Sequence, residues 1–123
     1  IHHFIAKTIS NDAISIWGDG SIERDFIYID DVISAICKSM QYNNSQSLFN
    51  IGSGTSTSIR KILEIIKEVS GLIPNINYQE ARLCDVHKSV LNIDNAKLKL
   101  GWEPRINIRD GIRMTYQATL NNL

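Results

Sequence analysis

The sequence predicts an α/β domain, a small and partly parallel sheet flanked by helices. Two observations carry this expectation. Ile14 and Ile16 alternate with Ser15, whereas Ile59, Ile62, Leu63, Ile66 and Val69 fall at helical spacing. Strand-like and helix-like stretches then follow one another along the chain, as in α/β folds. Glycine turns punctuate them at Gly18-Asp19-Gly20 and Gly52-Ser53-Gly54, where glycine accepts positive φ without steric cost.

Length and charge bound the rest. The 123 residues suit one domain, 1–123, with a modest core. Thirteen basic residues balance thirteen acidic ones, which argues against a nucleic acid or an anionic membrane as partner. No apolar run approaches the ~20 residues that cross a bilayer. Cys37 and Cys84 stand far apart and match no metal-ligand spacing, so two free thiols in a reducing cytoplasm are expected. His2, His3 and His87 have no partner at metal or catalytic spacing, and no Ser/His/Asp or Cys/His set is present. The chain opens at Ile1 without Met, and the native N-terminus is expected to lie upstream.

The elements follow in order. Phe4, Ile5 and Ile9 predict a helix over 3–9, broken by Asn11-Asp12. A strand carrying Ile14 and Ile16 leads into the Gly18-Asp19-Gly20 turn, then to Arg24 between two acids and a second strand through Phe26-Ile27-Tyr28-Ile29. A helix runs from Asp30 or Asp31 to about Tyr42, its acids at the positive N-terminal end. Val32, Ile33, Ile36, Cys37 and Met40 form its apolar stripe, and Asn43-Asn44-Ser45 ends it. Leu48-Phe49-Asn50-Ile51 reads as a short strand entering the second glycine turn. Ser58 caps the next helix and Gly71 stops it. Ile76-Asn77-Tyr78 is a further strand. Asp94 or Asn92 caps a short helix ending at Gly101, and a last helix spans about 108–120 with Ile112, Tyr116 and Leu120 inward.

Arg24 is the residue with the clearest chemistry. A guanidinium beside a Gly-Asp-Gly turn suits a phosphate, because its planar fork matches two phosphate oxygens at once. The run Gly18-Asp19-Gly20-Ser21-Ile22-Glu23-Arg24-Asp25-Phe26-Ile27-Tyr28-Ile29-Asp30-Asp31 resembles the substrate-binding half of the extended short-chain dehydrogenase/reductases, the NAD-dependent nucleotide-sugar epimerases and dehydratases. Its nearest likeness is to the UDP-glucose 4-epimerase type. Three further blocks occur in family order: Asn50-Ile51-Gly52-Ser53-Gly54 with Ser58, Arg82-Leu83-Cys84-Asp85, and Asp94 through Leu100-Gly101-Trp102-Glu103-Pro104.

The resemblance implies roles. Arg24 and Arg82 would grip the diphosphate of a nucleotide sugar from two sides, and Asp85 would accept hydrogen bonds from the ribose hydroxyls. The segment Ser15-Ile16-Trp17 would lie along the base, with uracil read by backbone groups at Ile16 and Trp17; Trp17 is equally a core residue. Asn50 would touch cofactor or substrate, or serve as a structural amide in its own loop. Asp25 would be structural, and Phe26 and Tyr28 would pack. Leu83 and Cys84 stand where the family shows Pro and Gly, which puts the conformation of that loop in question but not its two polar groups.

The family also needs parts that these residues lack. Its NAD-binding Gly-rich loop is absent, and Gly52-Ser53-Gly54 lacks the further glycine and βαβ frame of a dinucleotide fingerprint. Its Tyr-x-x-x-Lys pair is absent too, since Val32, Gln46, Arg82 and Leu120 stand four residues after Tyr28, Tyr42, Tyr78 and Tyr116. The expectation is a substrate-binding piece without catalytic residues of its own. NAD would be held mainly by a missing Rossmann domain, and the isolated piece would tend to self-associate. A stand-alone binding module, or a dehydratase or reductase on the same scaffold, is the alternative.

Overall fold

The computed structural model describes every residue except 44, 46, 47 and 123. Its elements run α1 (His2–Ser10), β1 (Ile14–Trp17), β2 (Glu23–Arg24), α2 (Ile29–Met40), β3 (Thr57–Ser58), α3 (Ile59–Ser70), β4 (Ile76–Gln79), β5 (Lys88–Ser89), α4 (Asp94–Leu100) and α5 (Ile108–Leu120). The expected sheet is divided in two. β1 and β4 form a parallel pair, while β2 sits between antiparallel β3 and parallel β5.

Local chemistry sets the boundaries. Asn11 closes α1 in the left-handed region at φ 59°, a conformation that a short amide side chain tolerates. Gly18 and Gly20 take φ 76° and 78°, so the turn after β1 requires glycine at both places. The start of α3 is held by bonds from outside its own ladder. Ile22 and Gly20 carbonyls accept the Ile59 and Arg60 N–H groups, and Ser58 Oγ accepts that of Lys61, so three of the donors that a helix start leaves open are paired. Gly71 ends α3 at φ 70°.

Three apolar clusters hold the elements together. Ile5, Ile62, Ile65, Ile66 and Ile112 join α1, α3 and α5, with Phe26 and Tyr116 against them. Ile14, Ile16 and Leu63 seat β1 on α3. Ala35, Ala96 and Trp102 join α2 to α4. The Trp102 indole N–H donates to the Asp31 carbonyl and Ser34 Oγ, while the buried Asp31 carboxylate accepts the backbone N–H groups of Arg105 and Ile106 at 3.0 and 2.9 Å.

The structure departs from the sequence expectation in five respects. The strand through 26–29 does not form, because Phe26 turns into the first cluster and Tyr28 packs over Gly111. Residues 48–51 likewise form no strand. α2 stops at Met40, and Asn44 of its expected terminator lies outside the described residues. α2 also turns most of its expected stripe to solvent, with Val32 half-buried and Cys37 exposed. Asp31 and Ala35 are its buried positions, whereas Ile29, Ile33, Ile36 and Met40 are 57, 50, 54 and 79% exposed. At the end of α5, Leu120 is exposed rather than inward, while Ile112 is buried as expected.

Candidate functional site

The candidate site is assembled at the C-terminal end of β1, on β2, and along the 80–87 loop. β1 and β4 leave their sheet side by side, with Trp17 opposite Gln79 and the Gly18 N–H donating to the Gln79 carbonyl. The chain then crosses the 80–87 loop and returns as β5, where His87 and Ser89 carbonyls accept the N–H groups of Glu23 and Asp25. The loop therefore starts beside Trp17 and ends beside Arg24.

Each end of the loop carries a guanidinium contact. Arg24 Nη1 donates to the Val86 carbonyl at 2.6 Å and to the Glu23 carbonyl at 2.8 Å. Arg82 Cζ lies over the Trp17 ring, 3.8 Å from its centroid, a cation–π distance. Inside the loop the Asp85 N–H donates to the Arg82 carbonyl at 3.3 Å. Asp85 is half-buried, and among the described residues its carboxylate has no partner.

The acids beside Arg24 do not hold it. Glu23 accepts from Ser56 Oγ and pairs with Lys88 at 3.0 Å, and the Ser56 and Lys88 contacts hold its carboxyl below the ordinary range. Asp25 accepts from Ser53 N–H (2.7 Å), Ser53 Oγ (2.5 Å), Gly54 N–H (3.1 Å) and Leu91 N–H (3.3 Å). Burial raises the Asp25 pKa, but these hydrogen bonds, those from Ser53 foremost, outweigh it and leave the value lowered. Among the described residues neither Arg24 nor Arg82 pairs with a carboxylate. Arg24 and Arg82 thus sit at the two ends of one short loop, neither with a carboxylate partner among the described residues.

The base segment divides by parity. Ile14 and Gly18 direct their N–H groups to β4, and strand residues alternate, so Ile16 faces β4 as well. Its side chain is buried against Leu63. Ile16 thus keeps neither backbone nor side chain for a ligand. Ser15 and Trp17 hold the open edge. Asn50 directs its amide to the Asn92 carbonyl at 3.2 Å, and the Gly52–Gly54 turn donates to Asp25. Gly52 leaves no room for a side chain, since a Cβ there would lie 2.6 Å from Asp25 Oδ2. The Ser53 and Gly54 N–H groups of that turn are therefore already committed within the chain.

Two contacts were not anticipated from the sequence, namely the Trp17–Arg82 stack and the Ser56–Glu23–Lys88 cluster. Both join residues more than thirty positions apart, and only the parallel β1–β4 pairing and the β3-β2-β5 order bring them together.

The fold and these blocks are those of the extended short-chain dehydrogenase/reductases. Residues 1–115 match the family model described as GDP-mannose 4,6 dehydratase, and the chain belongs to that family of NAD-dependent nucleotide-sugar epimerases and dehydratases. It is 36% identical over 105 residues to the dTDP-4-dehydro-6-deoxyglucose reductase of Escherichia coli, covering 85% of this chain and 33% of that one. It is 30% identical over 118 residues to the UDP-glucose 4-epimerase of Mycolicibacterium smegmatis, covering 96% and 38%. The UDP-glucose 4-epimerase of Thermotoga maritima, solved with UDP-glucose, superposes with TM-score 0.90 at 32% identity over 98% of this chain and 38% of that one. MoeE5 in complex with UDP-glucuronic acid and NAD superposes with TM-score 0.93 at 29% identity over 98% and 41%. The chain thus spans well under half the length of each of these relatives.

Proposed function

We propose that this chain binds the nucleoside diphosphate part of a nucleotide sugar, UDP-linked, within an NAD-dependent 4-epimerase. The observation that carries the reading is the pair of guanidinium groups on the two ends of the 80–87 loop, Arg24 and Arg82, neither matched by a carboxylate among the described residues. Arg24 and Arg82 take the diphosphate, Asp85 takes the ribose hydroxyls, and the free backbone edge of Ser15 and Trp17 reads the base. Relatives solved with UDP-glucose and UDP-glucuronic acid support the choice of a UDP-sugar.

NAD would supply the hydride acceptor and donor for inversion at a sugar carbon. With the Gly52–Gly54 donors committed to Asp25, we assign the dinucleotide and the acid/base pair to a partner portion outside these 123 residues. The exposed α2 stripe of Ile29, Ile33, Ile36 and Met40 is that portion's docking face. The family model's description and the reductase relative favour a second reading on the same scaffold, dehydration or reduction of the sugar.

Calorimetric titration of the chain with UDP and UDP-glucose tests the binding claim. Saturable heat that weakens with salt is expected, and no heat with either ligand overturns it. The encoding reading frame tests the enzyme claim. An upstream Gly-x-x-Gly-x-x-Gly and Tyr-x-x-x-Lys support it, whereas a native start near Ile1 would favour a stand-alone binding module.

A further inference from the structure

We infer that Trp17 is a positioning residue for Arg82, holding its guanidinium at the mouth of the site before any ligand arrives. The inference rests on the diphosphate reading above. The 80–87 loop has little order of its own. It contains no helix or strand, its one internal backbone bond is the 3.3 Å contact from Asp85 N–H to the Arg82 carbonyl, and Leu83 at its tip is fully exposed. A long, flexible arginine on such a loop would sample many rotamers, and ordering it on binding would cost affinity. The Trp17 ring removes much of that freedom.

The geometry suits the task. In a stacked guanidinium the flat face is covered while the N–H donors lie in the plane and point outward. Arg82 can therefore stay on the indole and still offer its donor edge to a phosphate. Trp17 itself is well placed to stay fixed, because β1 is tied to β4 directly below it, with Trp17 opposite Gln79 and Gly18 N–H on the Gln79 carbonyl. Trp17 is 43% exposed and belongs to none of the three apolar clusters, so its ring is not spent on the core. Among the described residues no acid competes for Arg82.

The test is a double-mutant cycle in the 123-residue chain, with Trp17→Leu and Trp17→Phe each made with and without Arg82→Gln. The ligand-free readout is the upfield ring-current shift of the Arg82 side-chain protons by NMR. It is expected in the wild type and in W17F and to be lost in W17L. The binding readout is UDP affinity. W17L should weaken it by about two- to fivefold, W17F should restore most of the loss, and W17L should cost nothing further once Arg82 is Gln. Absence of the ring-current shift in the wild type overturns the inference. Wild-type UDP binding that W17L weakens equally with and without Arg82 overturns the positioning role alone. A wild-type chain that shows the shift and binds no UDP overturns the diphosphate reading, and the inference falls with it.

Discussion

Asp25 shows how one side chain can organise the backbone around a candidate site. Its carboxylate gathers the 52–54 turn and Leu91 onto the strand that carries Arg24. Asp25→Ala should therefore cost about 2 kcal/mol, since several donors lose a charged acceptor at once, and urea unfolding measures it. The pH dependence follows from the lowered pKa. A carboxylate whose folded pKa lies below its unfolded value of about 3.9 binds fewer protons in the native state, so its stabilisation is present above that pH and is lost as pH falls through the folded value. The stability gap between wild type and D25A should narrow on acidification and stay level at neutral pH. A gap that widens on acidification would contradict the assignment. Arg24 makes the complementary case. Arg24→Ala should weaken UDP by roughly 1.5–3 kcal/mol, the scale of a charge-assisted contact. In a complete enzyme it should raise KM more than it lowers kcat, if ground state and transition state use the contact equally.

At the scale of elements, what could be read in advance depended on how local the determinant is. Ser58, the Ile62/Leu63/Ile66 face and Gly71 specify α3 within one stretch of chain, and the structure reproduces all three. α5 occupies 108–120 as expected. α2 was legible as a helix but not in its orientation, because periodicity names an apolar face without naming its partner. Ala35 is inward only because Ala96 and Trp102 are there to meet it. The site divides in the same way. Arg24, Arg82 and Asp85 were legible as a motif, while the loss of Ile16 to β4 needed the strand parity. The second glycine turn offers a direct test of the clamp. Gly52→Ala would set a methyl 2.6 Å from Asp25 Oδ2 and 3.1 Å from Leu91 Cδ1, so the turn must move or Asp25 must release it. A loss on the order of that of D25A is expected, about 2 kcal/mol, and it should be non-additive with D25A because both break one contact. Additive losses in the double variant would show that the two residues act separately.

At the scale of the whole molecule, the outstanding feature is a helix with its apolar side to solvent. Ile29, Ile33, Ile36 and Met40 follow one another at helical spacing and are all at least half exposed, whereas the three apolar clusters lie elsewhere. A contiguous apolar stripe of this kind marks a surface built to be covered. The chain spans only 38–41% of the length of two relatives solved with UDP-sugars, which supports, as the proposed occupant, a portion outside these residues. Two predictions separate this reading from an incidental patch. The chain alone should self-associate with rising concentration and bind a hydrophobic dye, as sedimentation and fluorescence would show. Ile33→Glu with Ile36→Glu should then abolish both while changing stability by no more than about 0.5 kcal/mol per site, the usual range for surface positions. A large stability loss would mean that the stripe already belongs to this chain's own core. The same double variant should also reduce association with a separately expressed dinucleotide-binding half while leaving UDP binding at Arg24 and Arg82 intact. Equal association by variant and wild type would place the docking face elsewhere on the molecule.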